Sequence, residues 1–116
     1  MKECNAFLCP SKHSKDGDAE GGSPVVLTQA MATGLLCVGT RHCDIPEVVI
    51  DSQTGYLCDS GDIDGIACRL AKVASEPLQA RALVRRGREH VETFFSTDGE
   101  ISELKNICAR MVACKR

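Results

Sequence analysis

The chain has 116 residues and a mass of 12.5 kDa, the size of one ordinary domain. Its 14 basic and 16 acidic residues give a net charge of −2, which argues against a nucleic-acid-binding protein. Three phenylalanines, one tyrosine and no tryptophan are too few for a surface on which bases stack. No apolar run approaches the roughly 20 residues of a membrane span, and the first residues hold too short an apolar stretch for a signal peptide. We therefore expect a folded cytoplasmic protein, at most peripheral to a membrane.

Eight cysteines are many for a chain of this length, and no two have the C-x-x-C spacing of a zinc or redox site. Cys9, Cys37, Cys68 and Cys108 occupy apolar positions of predicted strands or helices, so we expect them to be buried as small hydrophobic side chains. Reduced, structural thiols are the favoured interpretation. Disulfide bonds or a metal site are the alternatives.

The first predicted element is a buried strand over Asn5–Cys9. A polar loop over residues 11–23 follows it. Ser23 is a good N-cap for a helix over Val25–Thr33, which is apolar on nearly every side and is therefore expected to be buried. Gly34 is expected to end this helix.

A second buried strand is predicted over Leu35–Val38, followed by a polar turn over residues 39–44. The segment Ile45–Ile50 is expected to open as a helical turn at Pro46. A third short strand is predicted over Tyr56–Cys58.

Three helices are predicted after the third strand. Asp62 caps the first of them, which carries an apolar stripe at helical spacing. The second begins near Pro77, and Gly87 weakens its middle. The third begins with the capping box Thr97-x-x-Glu100.

Strands that alternate with helices predict an α/β fold with a parallel sheet and right-handed crossovers. The predicted fold is a partial, Rossmann-like sheet of about three strands with flanking helices. Doubly wound domains usually carry five or six strands, so this pattern predicts a piece of a larger fold. An open sheet edge would then invite self-association, and we expect the isolated chain to be marginally stable, aggregating or dimeric.

Ligands of open parallel sheets bind at the carboxyl ends of the strands. The loop after the first strand leads there into a helix N-terminus, where Gly21, Gly22 and Ser23 can present backbone N–H groups. Glu20 at the same place would repel a phosphate in contact with it but would accept hydrogen bonds from sugar hydroxyls. The alternative is a glycine-rich turn with solvated acids.

Longer motifs between Phe7 and Asp59 weigh against that alternative. They read E-G-G-S-P-V-V-L-T-Q-A-M-A-T-G and, further on, C-D-I-P-E-V-V-I-D-S-Q-T-G-Y-L. They resemble the donor-binding half of the retaining nucleotide-sugar glycosyltransferases with the GT-B fold, a family that includes sucrose synthases and many polysaccharide-building enzymes. The resemblance covers essentially the whole chain but only a fraction of the family's two-domain enzyme. It implies that residues 1–116 form a single, partial C-terminal nucleotide-sugar-binding domain.

The resemblance also implies roles for individual residues. Glu20 corresponds to the catalytic acid that contacts the donor sugar, and the amides of Gly21 and Gly22 approach the sugar and the diphosphate. The helix that begins after Ser23 supplies its dipole. Gln29 stands where the family has a second acid, which binds the ribose, and the spacing from Glu20 is one residue longer than usual.

The activity implied by the resemblance is transfer of a hexose from a nucleotide-diphosphate sugar to a hydroxyl acceptor with retention of configuration. No cofactor or metal is implied, and the expected partner is the sugar donor. The family's acceptor domain and its diphosphate-binding basic pair have no counterpart here, so a missing N-terminal domain is a second expected partner and activity of the chain alone stays open. The alternative function is a non-catalytic remnant or accessory module that at most binds a nucleotide sugar. A small receiver-like regulator is a weaker alternative.

Further polar residues near these loops have two interpretations each. Lys12 and Lys15 can reach a phosphate or be solvated surface residues. His42 can serve as a general base or as a structural residue of the second loop. Glu47 is interpreted as fixing that loop.

Overall fold

The computed structural model describes residues 5–13, 15–16 and 25–114. Its elements follow the predicted order of strand, helix, strand, short helix, strand and three helices. They are β1 (Ala6–Cys9), α1 (Val25–Ala32), β2 (Leu36–Thr40), α2 (Ile45–Val48), β3 (Tyr56–Cys58), α3 (Ile63–Ser75), α4 (Pro77–Phe94) and α5 (Thr97–Cys114).

The sheet has three parallel strands in the order β1-β2-β3. In its register Ala6 lies beside Leu36, and Val38 lies beside Tyr56. All five residues of β2 are buried, as expected for a central parallel strand with both faces covered. The predicted α/β fold with a three-stranded parallel sheet is therefore confirmed.

Alternate residues of β2 face two separate hydrophobic clusters, because successive side chains of a strand point to opposite faces. Cys37 packs with α1, α2 and the C-terminal part of α4. Leu36 and Val38 pack with Tyr56, with Leu83 of α4 and with half-buried side chains of α3. Because α4 contributes Leu83 to one cluster and Val91 to the other, it links the two faces of the sheet.

The observed boundaries of the elements agree closely with the predicted ones, except that β2 is longer than predicted. β2 continues past the predicted Val38 to Thr40, because Gly39 and Thr40 pair with Leu57 and Cys58 of β3. Gly34 ends α1 as predicted. It has a φ of +88°, and its N–H donates to the Met31 carbonyl, a left-handed stop that suits glycine.

Two predictions about helices are wrong. α1 is not buried on every side, since Val25 and Val26 are 67% and 38% exposed while the opposite face supplies the core. The capping box at Thr97 does not form. The Ser96 hydroxyl instead accepts from the Gly99 N–H at 3.2 Å, because Ser96 directly precedes the first residue of α5. By contrast, the predicted cap at Asp62 is confirmed, with its side chain accepting from the Gly65 N–H at 2.9 Å.

The cysteines divide by burial in a way that the apolar stripes did not predict. Cys37 is buried and Cys9 is partly buried, but Cys68 and Cys108 are exposed, so the expectation that all four are buried is wrong. The exposure of Cys108 follows from α5, which buries none of its residues against the described part of the chain. No disulfide bond joins two of the described cysteines.

Burial controls the expected reactivity of these thiols. Burial raises the pKa of Cys37 from 9.0 to about 12, and the neighbouring Cys9 adds to the shift. Burial also raises the pKa of Cys58, although Arg69 opposes that shift.

We predict that iodoacetamide at about pH 8 labels Cys68 and Cys108 at least about a hundredfold faster than Cys37 in the native chain, because the thiolate is the reacting form. Peptide mass spectrometry over time measures the rates. Labelling after unfolding, with oxidation blocked throughout preparation, should reach all eight cysteines. Equal native rates at Cys37 and Cys68 would contradict the burial, and fewer than eight labelled thiols would contradict the reduced state.

Gly87 lies in the middle of α4, where glycine ordinarily weakens a helix. The structure gives the reason for its presence. A Cβ atom at Gly87 would lie 2.8 Å from the Thr54 carbonyl oxygen and 3.2 Å from Cε of Met31. The missing side chain lets α4 pack directly against the turn before β3.

We predict that Gly87→Ala lowers the melting temperature, although alanine favours helix by roughly 1 kcal/mol. The contact with a backbone carbonyl cannot relax by a side-chain rotation, and overpacking of this kind costs about 1–3 kcal/mol. Thermal unfolding followed by circular dichroism is the measurement. Arg86→Ala, at the exposed neighbouring position of α4, is the control and should leave the transition nearly unchanged. A Gly87→Ala protein as stable as the parent would show that α4 does not pack this closely.

Candidate functional site

The candidate site lies at the carboxyl ends of the three strands, where the loops after β1, β2 and β3 meet. The backbone carbonyl of Ser11, just after β1, accepts from the Thr40 hydroxyl at the end of β2. The Ser60 hydroxyl, just after β3, donates to the same carbonyl at 3.5 Å. One carbonyl thus ties together the loops at this edge of the sheet.

Two imidazole rings lie next to each other at this edge. The ring centroids of His13 and His42 are 4.6 Å apart, in an edge-to-face arrangement. The sequence analysis did not predict this pair, although its signal was present: both residues closely follow neighbouring parallel strands, whose ends meet.

His42 is held in place by its surroundings. It is 8% exposed, and its Nε2 lies 3.3 Å from Sγ of Cys43. Its Nδ1 is buried and has no hydrogen-bond partner among the residues that the structure describes. The ring is therefore a fixed part of the second loop, and its predicted alternative as a general base stays a prediction.

Cys43 takes a backbone conformation that normally belongs to glycine. Its φ is +47°, in the left-handed region, where a side chain costs roughly 1–2 kcal/mol. The side chain of Cys43 is therefore accommodated with backbone strain.

We predict that Cys43→Gly raises the melting temperature, because relief of this strain exceeds the entropic cost of about 0.5–1 kcal/mol that glycine adds. Cys43→Ser is the matched control. It keeps a side chain in the left-handed region and a polar atom near His42, so its melting temperature should stay close to that of the parent. Differential scanning calorimetry measures the melting temperatures of both variants. A lower melting temperature for Cys43→Gly would contradict the presence of backbone strain at this residue.

Arg41 directly follows β2, and its guanidinium forms two ion pairs within the chain. Its guanidinium contacts Asp51 at 3.0 Å and Asp59 at 3.1 Å. Asp51 also accepts from the Leu57 N–H at 3.0 Å, which fixes it to β3. Arg41 therefore braces the loops, and two carboxylates already balance its charge.

Of the five residues predicted to contact the donor, the structure describes Gln29, which lies on the exposed side of α1. The opposite side of the helix is anchored in the core by Leu27, Ala30 and Met31. Gln29 is thus presented outward from a fixed helix. Glu20, Gly21, Gly22 and Ser23 lie outside the described residues, in the segment that joins the first loop to α1.

The remaining candidates are placed on the surface. Lys12 and Lys15 are exposed in the first loop. Glu47 is exposed, and its carboxylate has no hydrogen-bond partner in the described part of the chain, so its interpretation as the loop-fixing residue is not supported. Burial of Ile45 and Val48 fixes α2 instead.

The described ranges lack the features of two other classes of site. No group of three or more histidine, cysteine, aspartate or glutamate side chains is placed to hold a metal ion there. Within the same ranges, every helix is too short or too polar to cross a membrane.

Residues 1–90 match the protein family described as glycosyl transferases group 1. The chain is 34% identical over 111 residues to the amylovoran biosynthesis glycosyltransferase AmsK of Erwinia amylovora, covering 96% of this chain and 27% of that protein. It is 39% identical over 97 residues to the putative colanic acid biosynthesis glycosyltransferase WcaL of Escherichia coli, covering 83% of this chain and 24% of that protein. The chain thus spans about a quarter of the length of these relatives.

Two solved structures are similar to the fold. Sucrose-phosphate synthase from Thermosynechococcus elongatus superimposes with a TM-score of 0.80 at 23% identity, over 95% of this chain and 26% of that chain. The C-terminal domain of a group 1 glycosyl transferase (LpcC) from Francisella tularensis superimposes with a TM-score of 0.68 at 25% identity, over 80% of this chain and 44% of that domain. The fold therefore matches part of a GT-B glycosyltransferase, as predicted.

Proposed function

The chain belongs to the glycosyl transferases group 1 family, and we propose that residues 1–116 form part of the donor-binding domain of such an enzyme. The proposed reaction is transfer of a hexose from a nucleotide-diphosphate sugar to a hydroxyl acceptor, with the anomeric configuration retained. The named functions of AmsK and WcaL lie in polysaccharide biosynthesis. A growing polysaccharide or its precursor is therefore the acceptor class that we propose.

The observation that carries this proposal is the meeting of the strand ends in front of α1. The Ser11 carbonyl joins the loops after all three strands, and α1 begins close in sequence to the first of them. Open parallel sheets bind ligands at such an edge, and a helix N-terminus favours a negatively charged diphosphate. The match to the family over residues 1–90 includes this whole region.

Glu20 is the proposed sugar-contacting residue of the site. It stands directly before two glycines and the start of α1 in the sequence. A carboxylate offers two oxygens that accept hydrogen bonds from sugar hydroxyls, and charged hydrogen bonds are the stronger ones. In this proposal the amides of Gly21, Gly22 and Ser23 approach the sugar and the diphosphate.

Gln29 is the proposed ribose contact. Its exposed position on a helix that is anchored from the other side supports this role. Its amide can donate one hydrogen bond and accept another, but it lacks the charge of the acid that the family has at this place. We therefore expect Gln29 to contribute less to donor binding than Glu20.

The proposed catalytic contribution is orientation and electrostatic stabilisation. The sugar is held by Glu20, and the developing charge on the leaving diphosphate faces the amides that begin α1. Arg41 does not supply the balancing cation, because Asp51 and Asp59 already hold it. The cations that balance the leaving diphosphate are proposed to lie in a part of the enzyme that this chain does not span.

We predict that Glu20→Ala lowers sugar transfer at least about tenfold, because a hydrogen bond to a charged group contributes about 1.5–3 kcal/mol. Gln29→Ala should cost less, since a neutral hydrogen bond contributes about 0.5–1.5 kcal/mol. Gln29→Glu should keep or raise activity. Sugar transfer is measured in a chimera in which the N-terminal portion of WcaL precedes this chain. The WcaL portion is the same for every variant.

The control for these variants is Glu47→Ala, an exposed acid in the second loop whose carboxylate has no hydrogen-bond partner among the described residues. It should leave transfer nearly unchanged. If Glu20→Ala transfers sugar as fast as the parent while its circular dichroism is unchanged, the assignment of Glu20 is wrong. A chimera that folds and binds the donor but transfers nothing would favour the alternative of a non-catalytic, nucleotide-sugar-binding module.

A further inference from the structure

A large apolar groove lies on the face of the sheet opposite α1. Its volume is about 740 Å³, and it is enclosed by the start of β1, the C-terminal half of α3 and the N-terminal part of α4. Its floor is made of aliphatic side chains, among them Leu36, Leu70, Val73, Ala80 and Val84. These side chains belong to the smaller of the two hydrophobic clusters or pack against it. The groove is therefore a side of the core that the described residues leave uncovered.

Three arginines of α4 border the groove on one side. Arg81, Arg85 and Arg88 recur at the spacing of helical turns and therefore lie on one face of the helix. Arg88 forms an ion pair with Glu92 at 2.9 Å. Arg81 and Arg85 are exposed and form no ion pair with any residue in the described ranges. Among the described residues, the rim of the groove thus carries positive charge at Arg81 and Arg85 that no carboxylate pairs with.

The other border of the groove is the open edge of the sheet. Asn5 and Ala6 line the groove, and within the described ranges β1 pairs with β2 alone. An apolar face beside an unpaired strand is the kind of surface that proteins cover. This chain covers 44% of the solved domain from Francisella tularensis, so a related domain contains further chain from which such a cover can come.

We propose that the groove is the docking site of an amphipathic helix with acidic residues along its border, contributed by the part of the donor domain that this chain does not span. Its apolar face fills the floor of the groove, and its carboxylates pair with Arg81 and Arg85. This inference rests on the proposed place of the chain in a larger donor domain.

Charge decides in favour of this occupant. A helix that covers the groove removes the arginine rim from water, and a buried charge without a partner is costly. Carboxylates on the arriving helix compensate that cost. A second copy of this chain in a two-fold contact would instead bring the same arginine stripe to face itself, and like charges repel.

The test uses two otherwise identical versions of the full chain. Each has a designed amphipathic helix of about four turns, joined ahead of residue 1 by a Gly/Ser linker, which is short because Asn5 lines the groove. The two helices share one apolar face, but one has glutamates along its border and the other has lysines. We expect the glutamate fusion to melt at least about 4 °C above the lysine fusion.

The charge-reversed chain, Arg81→Glu with Arg85→Glu, should invert this preference, so that the lysine fusion melts higher. Arg86→Glu is the matched control, since Arg86 is exposed on α4 and does not line the groove, and it should leave the glutamate preference intact. If the charge-reversed chain does not fold, Arg81→Gln with Arg85→Gln replaces it and should abolish the difference between the two fusions.

Equal melting temperatures for the two fusions, or a preference that the rim substitutions leave unchanged, would overturn the proposal. The proposal would also be overturned if the unfused chain formed a dimer in sedimentation and hydrogen exchange showed that the dimer protects the amides of the groove. The occupant would then be a second copy of the chain. No nucleotide sugar is present in this test. A failure of donor binding therefore leaves its outcome unaffected, and the two proposals fail separately.

Discussion

The central position of β2 is the constraint on which the rest of the structure depends. β2 pairs with a parallel strand on each side, and all of its residues are buried. Parallel neighbours cannot be joined by tight turns, so the chain must cross over the sheet between strands, and the crossovers bring α1 and α2 onto it. The same alternation of side chains along β2 divides the core into two clusters, which α4 then joins. The close approach of Gly87 to the Thr54 carbonyl is one of the contacts through which α4 packs against the rest of the chain.

Two borders of the sheet, the carboxyl ends of its strands and the open side of β1, differ in how the chain covers them. At the carboxyl ends, the loops after the strands converge on the Ser11 carbonyl, and Arg41 braces them through Asp51 and Asp59. This edge is stabilised by contacts within the chain itself. At the open side of β1, by contrast, the apolar groove and the arginines of α4 find no cover among the described residues. The chain therefore combines a well-braced candidate site with an unfinished flank, which is consistent with its spanning about a quarter of its relatives.

The order of elements could be predicted from the sequence because each is punctuated locally. Pro10 closes β1, Gly34 ends α1, and Asp62 caps α3. What could not be predicted depends on distant partners. The exposure of Cys68 and Cys108 reflects which helix faces find a neighbour, and a stripe at helical spacing does not carry that information. The pairing of His13 with His42, and the left-handed conformation of Cys43, likewise follow from how two loops meet. For the site, sequence motifs indicated Glu20 and Gln29, while the structure describes Gln29 alone of these two.

The central claim is that the carboxyl edge of the sheet binds a nucleotide-diphosphate sugar. The most direct test is a two-dimensional ¹H–¹⁵N NMR titration of the chain with UDP-sugars and GDP-sugars, with the free sugars as controls. We expect the amide shifts of Thr40, His42 and the first turns of α1 to change with a nucleotide sugar, while those of Leu70 and Val84 in the groove stay constant. Saturable changes confined to the groove, or no changes in a folded chain across the whole panel, would contradict the central claim.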